Sequence, residues 1–127
     1  MSEHDHQAAV VSQFKAKYPQ YKDCIMAIPN GQMLGGRNKF ALMKKLKREG
    51  FKNGASDLFI AVPRRGRHGL WVEMKDAGKT MCSVSPEQKA HLDLMSKMGY
   101  EAIWAAGVDI AMAAIDVYMF ERPEVNY

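Results

Sequence analysis

Apolar residues recur at two different spacings along this chain, and the alternation between them outlines a fold. Near the start, Ala8, Val11, Phe14 and Tyr18 fall at helical spacing with Val10 beside them, and Pro19 ends the run. Glu3 and Asp5 sit where a helix N-terminus favours acids. Cys24 to Ile28 is a short unbroken apolar run, read as a buried strand, and Pro29-Asn30-Gly31 is a turn after it. Helical spacing returns from Arg37 to Glu49 through Phe40, Met43 and Leu46, with Gly50 as a C-cap. Two strand-like stretches follow, Leu58 to Val62 and Gly69 to Lys75. A helix then starts at Ser85-Pro86-Glu87-Gln88 and continues through Leu92, Met95 and Met98. A last strand, Glu101 to Ala106, and a final amphipathic helix from Val108 to Met119 complete the order. The sequence thus predicts a mixed α/β domain with a central sheet of about four strands flanked by helices.

Composition changes this picture little. A chain of 127 residues with a 47% hydrophobic fraction is one domain, long enough to bury a core. The net charge of +4 leans toward polyanionic partners without naming one. Cys24 and Cys82 form neither a zinc pattern nor a redox pair, and two reduced thiols are expected. No signal peptide or membrane span is expected either, since Asp109 and Asp116 interrupt the apolar C-terminal stretch. A cytoplasmic protein, bacterial or of a phage-infected host, is the expectation.

Chemistry concentrates between Gly54 and Lys75. Asp57 stands at the head of one strand, and Glu73 and Lys75 at the end of the next. Side chains alternate along a strand, so Glu73 and Lys75 share one face with Cα atoms about 6.5–7 Å apart. Leu70, Val72 and Met74 take the other face. Two carboxylates and the Met74 backbone carbonyl are oxygen donors of the kind magnesium prefers. A bound magnesium would help a water attack a phosphodiester, and Lys75 could orient that water.

Other features are less specific. Glu3 and Gln7 share a helix face, and from spacing alone a solvated first turn is the favoured reading. His4 and His6 are two apart and do not face together. The Gly31–Gly36 loop lacks the ending of a P-loop. Lys44 and Lys45 belong to a basic helix face with Lys39, Lys47 and Arg48. Arg64, Arg65 and Arg67 crowd a hairpin tip. Either group could be a solvated surface or a contact to backbone phosphates. Gln88 has a local role available, capping Ser85.

An Asp followed by Glu-x-Lys at the end of the next strand is the signature of the PD-(D/E)xK nuclease superfamily. Over nearly its full length the chain resembles the VRR-NUC (virus-type replication-repair nuclease) family. The resemblance rests on Glu3 and Gln7, Ile28-Pro29-Asn30-Gly31, Gly50, Gly54-Ala55-Ser56-Asp57, Gly69-Leu70, Glu73-Met74-Lys75, Ser85-Pro86-Glu87-Gln88 and Gly99-Tyr100. The family usually carries proline where this chain has Ser56.

The resemblance implies a restriction-endonuclease-like core with Asp57, Glu73, Lys75 and Gln88 as catalytic residues. It implies that Glu3 joins Asp57, Glu73 and the Met74 carbonyl around Mg²⁺ or Mn²⁺, and that Gln7, Asn30 and Gly31 line the site. Stand-alone family members from phages and bacteria look like symmetric dimers that cut branched DNA, including four-way junctions. A homodimer of this single-domain chain is therefore expected; the methionine-bearing faces around Met95, Met98, Met112 and Met119 are candidate interfaces, although such faces are more often core. A catalytically idle DNA-binding module on the same scaffold is the alternative, and it leaves the complete Asp57, Glu73 and Lys75 set unexplained.

Overall fold

The computed structural model describes residues 2–29 and 38–121. Its elements are α1 (Glu3–Lys17), β1 (Ile25–Ala27), α2 (Lys39–Arg48), β2 (Leu58–Ile60), β3 (Leu70–Lys75), α3 (Pro86–Lys97), β4 (Glu101–Ala106) and α4 (Val108–Met119). Every expected element is present, in the expected order. The strands form a mixed four-stranded sheet in the order β1-β2-β3-β4. Pairing is antiparallel between β1 and β2 and between β2 and β3, and parallel between β3 and β4. A parallel neighbour requires a crossover, and α3 supplies it.

β3 is thus an interior strand, and helices cover both of its faces. Leu70, Val72 and Met74 join Val10 and Phe14 of α1 and Ala111, Met112, Ile115 and Met119 of α4 in one core cluster. On the opposite face His91 of α3 packs edge-on against Trp71, with ring centroids 5.0 Å apart. This two-sided cover buries Glu73 and Lys75 as well as their apolar neighbours, so the charged face is an interior one.

Helix caps match local sequence. Ser2 and Asp5 form a reciprocal capping box at α1, and Ser85 and Gln88 form another at α3. The buried face of α1 differs from the expected stripe. It is His6, Val10 and Phe14, an i, i+4, i+8 row, whereas Ala8 is exposed. A histidine inside that row hides the row from apolar periodicity. Likewise α3 turns inward not its methionines but His91, while Met98 is 56% exposed. Met112 and Met119 belong to the core, which removes them as interface candidates. Among the described residues no helix is long and apolar enough to cross a membrane.

Candidate active site

The β2–β3 hairpin sets the site. Its register pairs Leu58 with Val72, so one rung further on Asp57 stands across from Glu73. Asp57 is fixed from two sides. Its carbonyl accepts the Ile28 amide at 2.8 Å, and its Oδ2 accepts the Met74 amide at 2.8 Å. The latter bond ties the side chain to the strand that carries Glu73 and Lys75. Gly54, three residues upstream, has φ +84°, and a Cβ there would lie 2.6 Å from the Glu87 backbone. Only glycine lets this loop press against the start of α3.

Glu73 is 2% exposed. Its Oε1 accepts the Gln88 side-chain amide at 2.7 Å and lies 3.6 Å from Lys75 Nζ. Its Oε2 is buried with no hydrogen-bond partner. Lys75 Nζ also lies 4.0 Å from Glu3 Oε1, which brings α1 to the same point. Burial, and next the negative charge of Asp57, push the Glu73 carboxyl up to about 8, against the pull of Lys75. Two acids thus face each other across a hairpin, one of them buried with an orphaned oxygen.

Gln88 performs two tasks at once. Its Oε1 accepts the Ser85 amide at 2.8 Å to complete the α3 cap, and its Nε2 donates to Glu73. The cap and the site therefore share one side chain rather than competing for it.

These groups open into a cleft of about 400 Å³. Glu3, Gln7, Asp57, Glu73, Lys75 and Gln88 all line it, so six of the residues singled out in the sequence meet in one place. Lys39 and Met43 of α2 line it too, as do His4 and Glu87. Lys44 and Lys45 are exposed on α2 and are not among the lining residues. Asn30 and Gly31 lie outside the described residues.

The hairpin arginines are elsewhere. Arg64 Nε donates to the Met119 carbonyl at 3.2 Å, and the same side chain pairs with Glu121 at 3.1 Å and covers the Tyr21 ring. Arg65 donates to the Val117 carbonyl. Arg67 donates to the Ser96 carbonyl at 3.3 Å. All three thus bond to carbonyls near the C-terminal ends of α3 and α4, where cations are favoured. They line a second cavity, of about 280 Å³, between the hairpin and α4. The three arginines of this tip thus each bond to a carbonyl of the chain itself.

One buried group was not visible from sequence. Ser56 is fully buried, and its amide donates to Nδ1 of His91 at 3.3 Å while its Oγ lies 3.1 Å from the same nitrogen. Burial, and next Lys52, lower the pKa of His91. An amide can only donate, so Nδ1 accepts and the ring proton is on Nε2. The only sequence clue was a polar residue one turn after Gln88, at the position where α3 turns inward.

The donor set is oxygen-rich and suits a hard divalent cation. Magnesium needs only one or two carboxylates and otherwise retains water. Asp57 and Glu73 supply that number, and the orphaned Oε2 of Glu73 is a ready acceptor of a cation. No cluster of three or more His, Cys, Asp or Glu in metal-holding geometry occurs among the described residues, so Glu3 is not drawn into a closed cage.

No family model matches the sequence, and no curated protein does so. Comparison with solved structures is informative. A structure described as a VRR_NUC domain protein superposes with a TM-score of 0.78 at 29% identity, over 94% of this chain and 88% of that one. With that likeness across nearly all of both chains, the chain has the α/β fold of a VRR-NUC domain.

Proposed function

We propose that this protein is a divalent-metal-dependent endonuclease that hydrolyses phosphodiester bonds in branched DNA. One observation carries the reading: Glu73, buried with an orphaned oxygen, stands across from Asp57 with the Lys75 ammonium 3.6 Å away, at the floor of an open cleft. As a purely structural arrangement this costs stability, because two facing acids repel and the buried one cannot complete its hydrogen bonds. Asp57 and Glu73 would hold Mg²⁺ or Mn²⁺, with the Met74 carbonyl and Glu3 as the further oxygen donors of the site. When bound, the metal supplies Lewis acidity and a more acidic water.

The other roles belong to the chain itself. Lys75 orients the attacking water and faces the charge that builds on the phosphoryl oxygens. Gln88 fixes the Glu73 carboxylate by its amide and leaves Oε2 facing inward. Hydrolysis adds hydroxide to phosphorus and breaks one bridging P–O bond, and the leaving oxygen takes a proton from solvent. Gln7 lines the approach. Lys44 and Lys45, on the helix whose Lys39 reaches the cleft, neutralise backbone phosphates on either side of the scissile one. A two-fold homodimer would present two such sites to a four-way junction.

Cleavage of junction, flap, splayed and linear DNA with and without Mg²⁺ tests this. Asp57→Ala and Lys75→Ala are each expected to lower the rate by at least about 100-fold while DNA affinity and circular dichroism stay near wild type. Wild-type cleavage by Asp57→Ala would overturn the reading. Metal-stimulated DNA binding without cleavage by the wild type would instead favour an idle binding module.

A further inference from the structure

We propose that His91 is a positioning residue for Asp57: its Nδ1 anchors the Ser56 peptide and thereby sets where the Asp57 carboxylate stands across from Glu73. The inference rests on the reading of that pair as a metal site, and it concerns a residue on the far side of Ser56 from the cleft.

Three anchors bear on where Asp57 stands. The sheet supplies two, through the Ile28 amide on its carbonyl and the Met74 amide on its Oδ2. The third lies upstream, where the chain enters β2. Ser56 precedes the first paired residue, Leu58, so its amide has no partner in the ladder. At 0% exposure it has no water either. His91 Nδ1 is its acceptor. Without that nitrogen, a buried N–H next to Asp57 would be left unpaired, and the loop would shift to find water.

The ring itself is fixed. It is 3% exposed and meets Trp71 edge-on at 87°. It sits three residues after Gln88 on α3, on the same side of the helix. One helix face thus controls both acids, with Gln88 bonded to Glu73 and His91 bonded to the peptide before Asp57. If packing were the only requirement, an apolar residue would serve against Trp71. The accepting nitrogen is what histidine adds.

Two substitutions separate positioning from packing. His91→Leu keeps volume against Trp71 and removes the acceptor. His91→Asn loses volume and places an amide oxygen near the former Nδ1. Partners of this kind typically change metal affinity or activity by 10–100-fold, so His91→Leu is expected to weaken Mn²⁺ binding, measured by calorimetry, by about tenfold or more. The turnover number should fall with it while the DNA dissociation constant stays within about twofold of wild type. His91→Asn should recover most of both losses even where its melting temperature is the lower of the two.

The opposite order, with Leu closer to wild type than Asn, would show a packing role and overturn the proposal. A wild-type measurement decides independently of either variant. Nitrogen chemical shifts should show His91 protonated at Nε2 with Nδ1 accepting, and the Ser56 amide should be strongly protected from exchange. The other tautomer, or an unprotected Ser56 amide, would overturn it. If the wild type cuts no DNA under any metal, the nuclease reading fails. The tautomer, exchange and Mn²⁺ results still decide the role of His91.

Discussion

Glu73 is where the site's energetics are most exposed to experiment. Its carboxyl titrates in the folded chain at about 8 instead of the ordinary 4.5, chiefly because it is buried and next because Asp57 faces it. The folded state therefore holds this proton more tightly than the unfolded state does. That contribution to stability is complete below about pH 4.5 and is lost as pH rises through about 8. Metal-free protein should lose stability across this window, by at most about 1.4 kcal/mol per pH unit from this group. Urea melts at intervals of pH will show it, and saturating Mg²⁺ should flatten the slope. Glu73→Gln removes the charge while keeping the shape, so above pH 8 its metal-free melting temperature should exceed that of wild type by about 3–6 °C. An equal or lower value would mean that Glu73 is already compensated within the chain.

At the scale of elements, the two basic clusters are placed differently. The three arginines of the hairpin tip bond to carbonyls near the ends of α3 and α4, whereas α2 presents Lys44 and Lys45 to solvent on the helix that borders the cleft. Arg64→Ala should cost about 1–3 kcal/mol of stability, since its bonds are largely shielded, with little change in DNA affinity. The double substitution of Lys44 and Lys45 by Ala should leave stability within about 0.5 kcal/mol. It should weaken DNA binding and reduce the salt slope by roughly two. Anisotropy titrations over a salt series, paired with denaturant melts, separate the two behaviours.

The same contrast shows what sequence could and could not reveal. Charge runs alone do not tell a solvated face from a helix clamp, because the carbonyls that Arg64, Arg65 and Arg67 reach lie 29 to 55 positions away along the chain. Strand ends and caps were legible because they are local. The Ser85–Gln88 box, the Pro86 start and the Glu101–Ala106 run needed no tertiary knowledge. Glu3, Asp57, Glu73, Lys75 and Gln88 were legible as a set only through family resemblance, since no spacing rule joins residue 3 to residue 88. His91 and the inward row of α1 were missed for one reason: a buried histidine reads as polar, and the partner that makes it tolerable lies on another element.

In the whole molecule, one four-stranded sheet gathers a site from four elements, and the β2–β3 register sets two acids against each other. That hairpin joins Asp57 to Glu73, which are much nearer to each other along the chain than either is to Glu3 of α1. Like charges directly opposite on paired strands oppose closure. The last rung of the hairpin is therefore expected to slow folding, and the proposed function is the reason to keep it. Stopped-flow refolding should be faster in Mg²⁺ than in chelator. Asp57→Asn, which retains an oxygen for the Met74 amide, should refold at the faster rate with no ion present. The residues that make the domain reactive would then also make it slow to form, and the ion would act on the rate at which the chain becomes a protein.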